Sequence, residues 1–238
     1  MPRCLDEYSW RSLKGYGALA PNVFELGDFK NDVLKDGSPV QFRIIGFDHD
    51  KMRSGDICPF TWEMVDCMPE RYSWNREDTN RGSWEATVLR REMNDPDGRI
   101  YQLMPDEIIA IAEPVLKITA DTYDGGRELI TTEDRFWIKS EKELFGRNIY
   151  SAPGEGHWYE FYRQEDVPWG KKRNGREEYT MLRSPYCFSS TNFCFVGTNG
   201  GANASYAGIP MGSPRISVSN PVNQKGLHHE SGAEQNTE

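Results

Sequence analysis

No stretch of the 238 residues approaches the unbroken apolar length that crosses a bilayer, so membrane insertion is not expected. The first residues, Met1-Pro2-Arg3-Cys4-Leu5-Asp6-Glu7, have no apolar core of a secretory signal. The protein is therefore expected to be made in the cytoplasm without a signal peptide. Positive charge is in deficit: 28 Lys and Arg against 37 Asp and Glu leave a formal net charge of −9. A nucleic-acid binder needs a basic face to displace phosphate counterions, so no nucleic acid is expected as a partner. The one basic run, Lys171-Lys172-Arg173, reads as a solvated turn. Cysteine is scarce. Cys4, Cys58, Cys67, Cys187 and Cys194 are odd in number, with no C-x-x-C pair and no zinc-ribbon spacing. Reduced thiols fit this usage. Cys187 and Cys194 are near enough to face each other across a hairpin, a pairing the sequence leaves open.

Aromatics are what the chain does have. Seven Trp, eleven Tyr and eleven Phe supply enough buried area for a sizeable core although only 37% of residues are hydrophobic. A folded domain is expected, with short helices around small antiparallel sheets, an α+β class. Residues 1–36 read as a lead-in with a short helix near Tyr8 to Leu13, residues 37–219 as the domain, and residues 220–238 as a polar, mobile tail. Alternation predicts strands over 40–47 and 60–65, the second with Phe60, Trp62 and Met64 on one face. Ser83 is placed to cap a helix that carries Trp84 and Val88. Pro105-Asp106-Glu107 opens a second helix. Residues 115–119 and 135–138 read as strands, with a Gly-containing loop over 122–128. Ser140 and Glu143 have capping-box spacing before a helix that ends near Gly146. Trp158, Phe161 and Tyr162 have helical spacing, and 168–176 reads as a loop. Short strands are expected near 179–182, 193–196 and 216–218.

Five stretches in order carry a resemblance: Gly27-Asp28-Phe29-Lys30; Ile44-Ile45-Gly46-Phe47-Asp48-His49-Asp50; Gly82-Ser83-Trp84 with Leu89-Arg90; Phe136-Trp137-Ile138 with Glu143-Leu144-Phe145-Gly146; and Leu182-Arg183-Ser184-Pro185 with Phe193-Cys194-Phe195-Val196. Over roughly residues 27–218 the chain resembles a domain-of-unknown-function family of phages, prophages and Firmicutes with a C-terminal Leu-Arg-Ser-Pro box. The chain departs from that family in having Thr180-Met181 before the box and Ser213-Pro214-Arg215-Ile216-Ser217 at its last strand. The family looks like the C-type-lectin-like fold, which also carries the variable proteins of diversity-generating retroelements. The resemblance implies ligand display, with a protein or glycan on a host or bacterial surface as the target, and no known reaction. The alternatives are a structural virion component, a decoration or tail-associated subunit among virion proteins, and, less favoured, an enzyme, since the formylglycine-generating oxidases share the broad fold. No cofactor is expected.

After Pro185 stand Tyr186, Phe188, Ser189, Ser190, Thr191 and Asn192, and further on Asn199, Asn203, Ser205 and Tyr206. Tyr with small polar residues is a paratope-like mixture, because Tyr offers area at low entropy cost while Ser and Asn adapt their hydrogen bonds. The same composition also makes ordinary turns; the resemblance tips the reading toward a ligand-binding face. Asp48-His49-Asp50 is read as a strand-end turn rather than a metal site, since in an extended chain Asp48 and Asp50 point one way and His49 the other. The calcium signatures of sugar-binding C-type lectins are absent: Glu113-Pro114 precedes Val115, and Trp74-Asn75 precedes Arg76. Calcium-independent binding is expected. Cys194, between Phe193 and Phe195, reads as a buried inert thiol. Arg183 is read as a structural fork that fixes the Ser-Pro turn, the alternative being anion recognition.

Overall fold

The computed structural model describes residues 1–121, 128–165, 167, 171–173, 175–210 and 212–220. Helix α1, Trp10–Gly15, starts where the Ser9 side chain accepts the Ser12 N–H at 3.1 Å. It is followed by α2, Ala20–Val23, and strands β1, Phe29–Val33, and β2, Pro39–Gly46. A small hairpin, β3, Asp50–Lys51, and β4, Ile57–Cys58, leads to β5, Phe60–Met64. Three helices follow, α3, Val88–Asn94, α4, Arg99–Leu103, and α5, Asp106–Ile111. The hairpin of β6, Val115–Asp121, and β7, Glu128–Asp134, precedes α6, Glu141–Phe145. A further antiparallel pair is β8, Lys171–Arg173, with β9, Arg176–Glu178. The last strands are β10, Thr180–Pro185, β11, Asn192–Val196, β12, Ala202–Tyr206, and β13, Ser217–Asn220.

The main sheet has the order β1-β2-β5-β13, and β10-β11-β12 form a second, antiparallel one. The architecture is α+β with small antiparallel sheets, as the alternation implied. Among the described residues no helix is long and apolar enough to cross a membrane. The first 36 residues are not set apart from the rest. Strand β1 pairs with β2 along its length, and Leu5, Trp10, Leu13, Ala20, Phe24 and Leu34 belong to the main core. Trp10 meets Phe42 and Trp62 edge-on, at 5.7 and 5.2 Å between ring centroids.

The main sheet is buried on both faces. Phe42, Ile44, Phe60, Trp62, Met64 and Val218 point into the aromatic core. The alternate residues Arg43, Thr61, Glu63, Ser217 and Ser219 are also buried, on the opposite face. Polar alternation here marks a second interior.

Several local expectations are corrected. Ser83 does not cap a helix: it sits at φ 56° and donates to the Ala120 carbonyl at 2.9 Å. Thr87 is the cap, its hydroxyl accepting the Arg90 N–H at 3.1 Å. The strand expected at 135–138 lies earlier, at Glu128–Asp134, and only Trp137 makes an isolated bridge, to Ser217. Apolar bulk in Phe136, Trp137 and Ile138 mimicked a strand while serving as core. The helical spacing near 158–162 yields a short 3₁₀ turn, Glu160–Arg163. Lys171-Lys172-Arg173 is a strand, with Lys171 buried and Arg173 paired to Glu178. Burial, with Arg215 and Arg43 nearby, pushes the Lys171 amine down to about 5. The capping box is present at Ser140 and Glu143, and Gly146 ends α6 at φ 72°, where any Cβ would strike the Trp158 ring. The loop expected at 122–128 lies outside the described residues except for Glu128, which opens β7. The tail beyond Asn220 lies outside them too, as does part of the 168–176 stretch.

Candidate functional site

The second interior is a charged network with two centres. Glu63, fully buried, accepts from Arg43 at 2.8 and 2.9 Å, from the Tyr162 hydroxyl at 2.7 and 2.8 Å, from Lys139 and from Arg215. Burial alone would raise its carboxyl, but the charges of Arg215, Lys139 and Arg43 outweigh that and hold it well below the usual range. Asp50 accepts from Lys117, Thr61, Ser219 and the Tyr159 hydroxyl. Lys117 also lies 3.4 Å from Glu143, linking this centre to the Leu-Arg-Ser-Pro box.

That box is β10. Arg183 is wholly buried and grips both oxygens of Glu143, the carbonyl of Ile138 at 3.0 Å and the hydroxyl of Thr119 at 3.2 Å. Burial would raise the Glu143 carboxyl; Arg183 and Lys117 reverse this and take it down to about 2. Next to it, the Ser184 hydroxyl donates to Glu155 and accepts the Glu141 N–H at 2.8 Å. Glu155 also accepts the Ala120 N–H at 3.0 Å, yet burial dominates and pushes its carboxyl up to about 7. The Arg183 fork is thus consumed by the protein itself, as the structural reading had it.

The chain leaves this anchored strand at Pro185 and turns. The Tyr186 N–H donates to the Asn192 carbonyl at 3.0 Å and closes the loop. Beneath it, buried Asn80 acts as a clamp. Its side-chain amide donates to the carbonyls of Ser189 and Asn192 at 2.6 and 3.0 Å, and its own N–H to that of Ser190 at 2.8 Å. The hydroxyls of Ser189 and Thr191 both reach Asn192 Oδ1, at 2.8 and 2.6 Å. Rings are arrayed on one side: Tyr150 edge-on to Tyr186 at 5.7 Å, and Tyr186 edge-on to Phe188 at 5.8 Å. Tyr150 is held in turn, because the Glu141 carboxylate accepts the N–H groups of Ile149, Tyr150 and Ser151. Phe188 ends the array 81% exposed.

The ten candidate residues fall into two groups. Tyr186, Phe188, Ser189, Ser190, Thr191 and Asn192 form the clamped loop, and Tyr206, 50% exposed, stands opposite Asn192 in the β11–β12 register with Ser205 opposite Phe193. Asn203 stands opposite Phe195, three residues and roughly 10 Å further along the strand. Asn199 lies beyond it in the hairpin turn, where its side chain accepts the Gly201 N–H at 3.0 Å. Ser190, Asn199 and Asn203 are exposed, and Ser189, Thr191, Asn192 and Ser205 half-buried. Strand β12 is the outer edge of its sheet. Between the groups, β11 is buried on both sides: Phe193 stacks on Trp74 at 5.4 Å in the main core, while Cys194 and Val196 enter the second cluster. Burial raises the Cys194 thiol well above its ordinary value, and no disulfide joins Cys187 to Cys194.

Asp48, His49 and Asp50 diverge. Asp48 turns at φ 51°, His49 stacks on Tyr159 at 3.9 Å and meets Glu160 at 3.3 Å, and Asp50 enters the network. Residue reasoning missed Asn80, Glu141, Glu155 and the network itself. The capping box, through Glu143, and the structural reading of Arg183 signalled part of it.

The geometry defines a rigid, internally charged α+β scaffold that presents one clamped loop beside an open sheet edge. Residues 54–212 match the family described as Domain of unknown function (DUF6273), and the chain belongs to that family. No curated protein matches it, and no solved structure does.

Proposed function

We propose that the chain is a non-enzymatic ligand-binding module of C-type-lectin-like fold, phage or prophage encoded, that adheres to a protein or glycan through the surface after Pro185. The observation that carries this reading is Phe188: a large apolar ring 81% exposed on a loop that Asn80 holds by three hydrogen bonds. Exposing such a ring costs solubility, and pre-ordering its loop lowers the entropy lost on binding. A flexible loop would not bring the same advantage. The sealed Cys194 supports a binding role over nucleophilic chemistry, which needs an accessible thiolate.

Fluorescently labelled protein, applied to a bacterial cell panel and a glycan array, tests the reading. Replacing Tyr186, Phe188, Asn192 or Tyr206 by Ala should abolish the binding seen, with the fold kept; four variants that bind like the parent overturn the assigned face. A second reading, a virion decoration or tail-associated subunit, is favoured by the uncharged sequence of edge strand β12, Ala202–Tyr206, which offers a partner unpaired backbone groups. Ordered self-association of the purified chain separates it from adhesion.

A further inference from the structure

A concavity lies beyond the end of β12. It has a volume of 480 Å³ and is walled by Arg71, Arg76, Arg99, Tyr72, Ser73 and Glu92, with Pro210 at its rim. Three arginines in one cavity reverse the sign of a chain whose net charge is −9. No lysine joins them, and the guanidinium fork suits planar, two-point recognition of an oxyanion better than an ammonium does.

The local carboxylates do not exhaust this charge. Glu178 is shared by Arg71, at 3.0 and 3.1 Å, and Arg173. Glu92 accepts the Arg99 backbone N–H at 2.8 Å and lies 3.4 Å from its Nε. Among the residues that line the cavity, three guanidinium groups stand against one carboxylate, Glu92. Among the described residues Arg76 has no hydrogen bond or ion pair. Arg99 leans over the Tyr72 ring, 5.5 Å from its centroid, which leaves the outer edge of its fork open. Neither the Tyr72 nor the Ser73 hydroxyl has a side-chain partner among the described residues. Burial, with Glu70 adding, pushes the Tyr72 hydroxyl up to about 12, so it keeps its proton and remains a donor at neutral pH.

We propose that this cavity binds a small ligand bearing a carboxylate or phosphate group, of the size of a uronic acid or a sugar phosphate. The acid group meets Arg76 and Arg99, and the hydroxyls of the ligand meet Tyr72, Ser73 and Glu92. The volume lies within the range of small-molecule sites, roughly 300–1,000 Å³, and exceeds the needs of a bare ion. The site does not depend on the face around Phe188, and the two fail separately.

Titration calorimetry on the full chain with glucuronate, glucose 6-phosphate and neutral glucose tests the proposal. Saturable binding of at least one acid and none of glucose is expected, and which acid binds tells carboxylate from phosphate. Arg76→Ala should weaken that binding tenfold or more, while Arg91→Ala, exposed and outside the cavity, should leave it unchanged. Arg76 is exposed and makes no internal bond, so its loss does not threaten the fold. Absence of saturable binding by both acids, equal binding of glucose, or an unaltered Arg76→Ala protein each overturns it.

Discussion

Replacing Glu155 by Gln should remove a pH dependence that the wild-type fold carries. The carboxyl is buried under β10, between the Ala120 N–H and the Ser184 hydroxyl, and its folded value is near 7 against an ordinary 4.5. For an acid raised on folding, the native state holds the extra proton. Its stabilising contribution is complete below pH 4.5 and is lost as pH rises toward and through 7. A shift of about 2.5 units corresponds to roughly 3 kcal/mol, as an order of magnitude. Lys171, depressed to about 5, works in the opposite direction over the same window, so wild-type stability alone does not isolate Glu155. Gln resembles the protonated acid: its oxygen accepts from Ala120, and its amide donates to Ser184. Urea unfolding of both proteins at pH 5 and pH 8 gives the difference directly. The Gln variant should gain about 3 kcal/mol on wild type between the two, a midpoint change of about 1.5 M urea for a slope near 2 kcal/mol/M. A difference between the two proteins that is the same at both pH values would refute the reasoning.

Arg183→Met leaves Glu143 buried beside Lys117 alone, and should cost roughly 3–5 kcal/mol in chemical denaturation, the usual penalty for orphaning one buried charge. Asn80→Ala removes both side-chain bonds to the loop carbonyls and should cost about 1–3 kcal/mol. Amide exchange should quicken at 189–192 and stay unchanged in β2 and β5. Alkylation of the native protein should label exposed Cys4 and spare Cys58, Cys67 and Cys194 until the chain unfolds, as peptide mapping by mass spectrometry will show.

The sequence disclosed the elements whose signals are local. Alternation marked β2 and β5, and the Ser140–Glu143 spacing marked α6. It misjudged polar residues that local patterns assign to water. Arg43, Thr61 and Glu63 alternate with apolar neighbours as a solvated face would. The partners of Glu63, Lys139, Tyr162 and Arg215, arrive from 76 to 152 residues away, and Ser219 reaches Thr61 across 158, distances no window can span. Lys171 misled for the same reason. At the site, the loop residues were visible from composition and resemblance. Asn80 was not, because it meets the loop across 109 residues and has no motif of its own.

The proposed binding face requires a scaffold whose stability does not depend on the exposed side chains above it. Thermal melting of one variant, with Phe188, Ser190, Asn199, Asn203 and Tyr206 all replaced by Ala, tests this most directly. All five are exposed, so the cooperative transition should persist within a few degrees of wild type, since about 1 kcal/mol moves a chain of this size by roughly 2–4 °C. A melt lowered by more than about 10 °C, or lost altogether, would show that these side chains hold the fold together and would contradict their assignment to a partner.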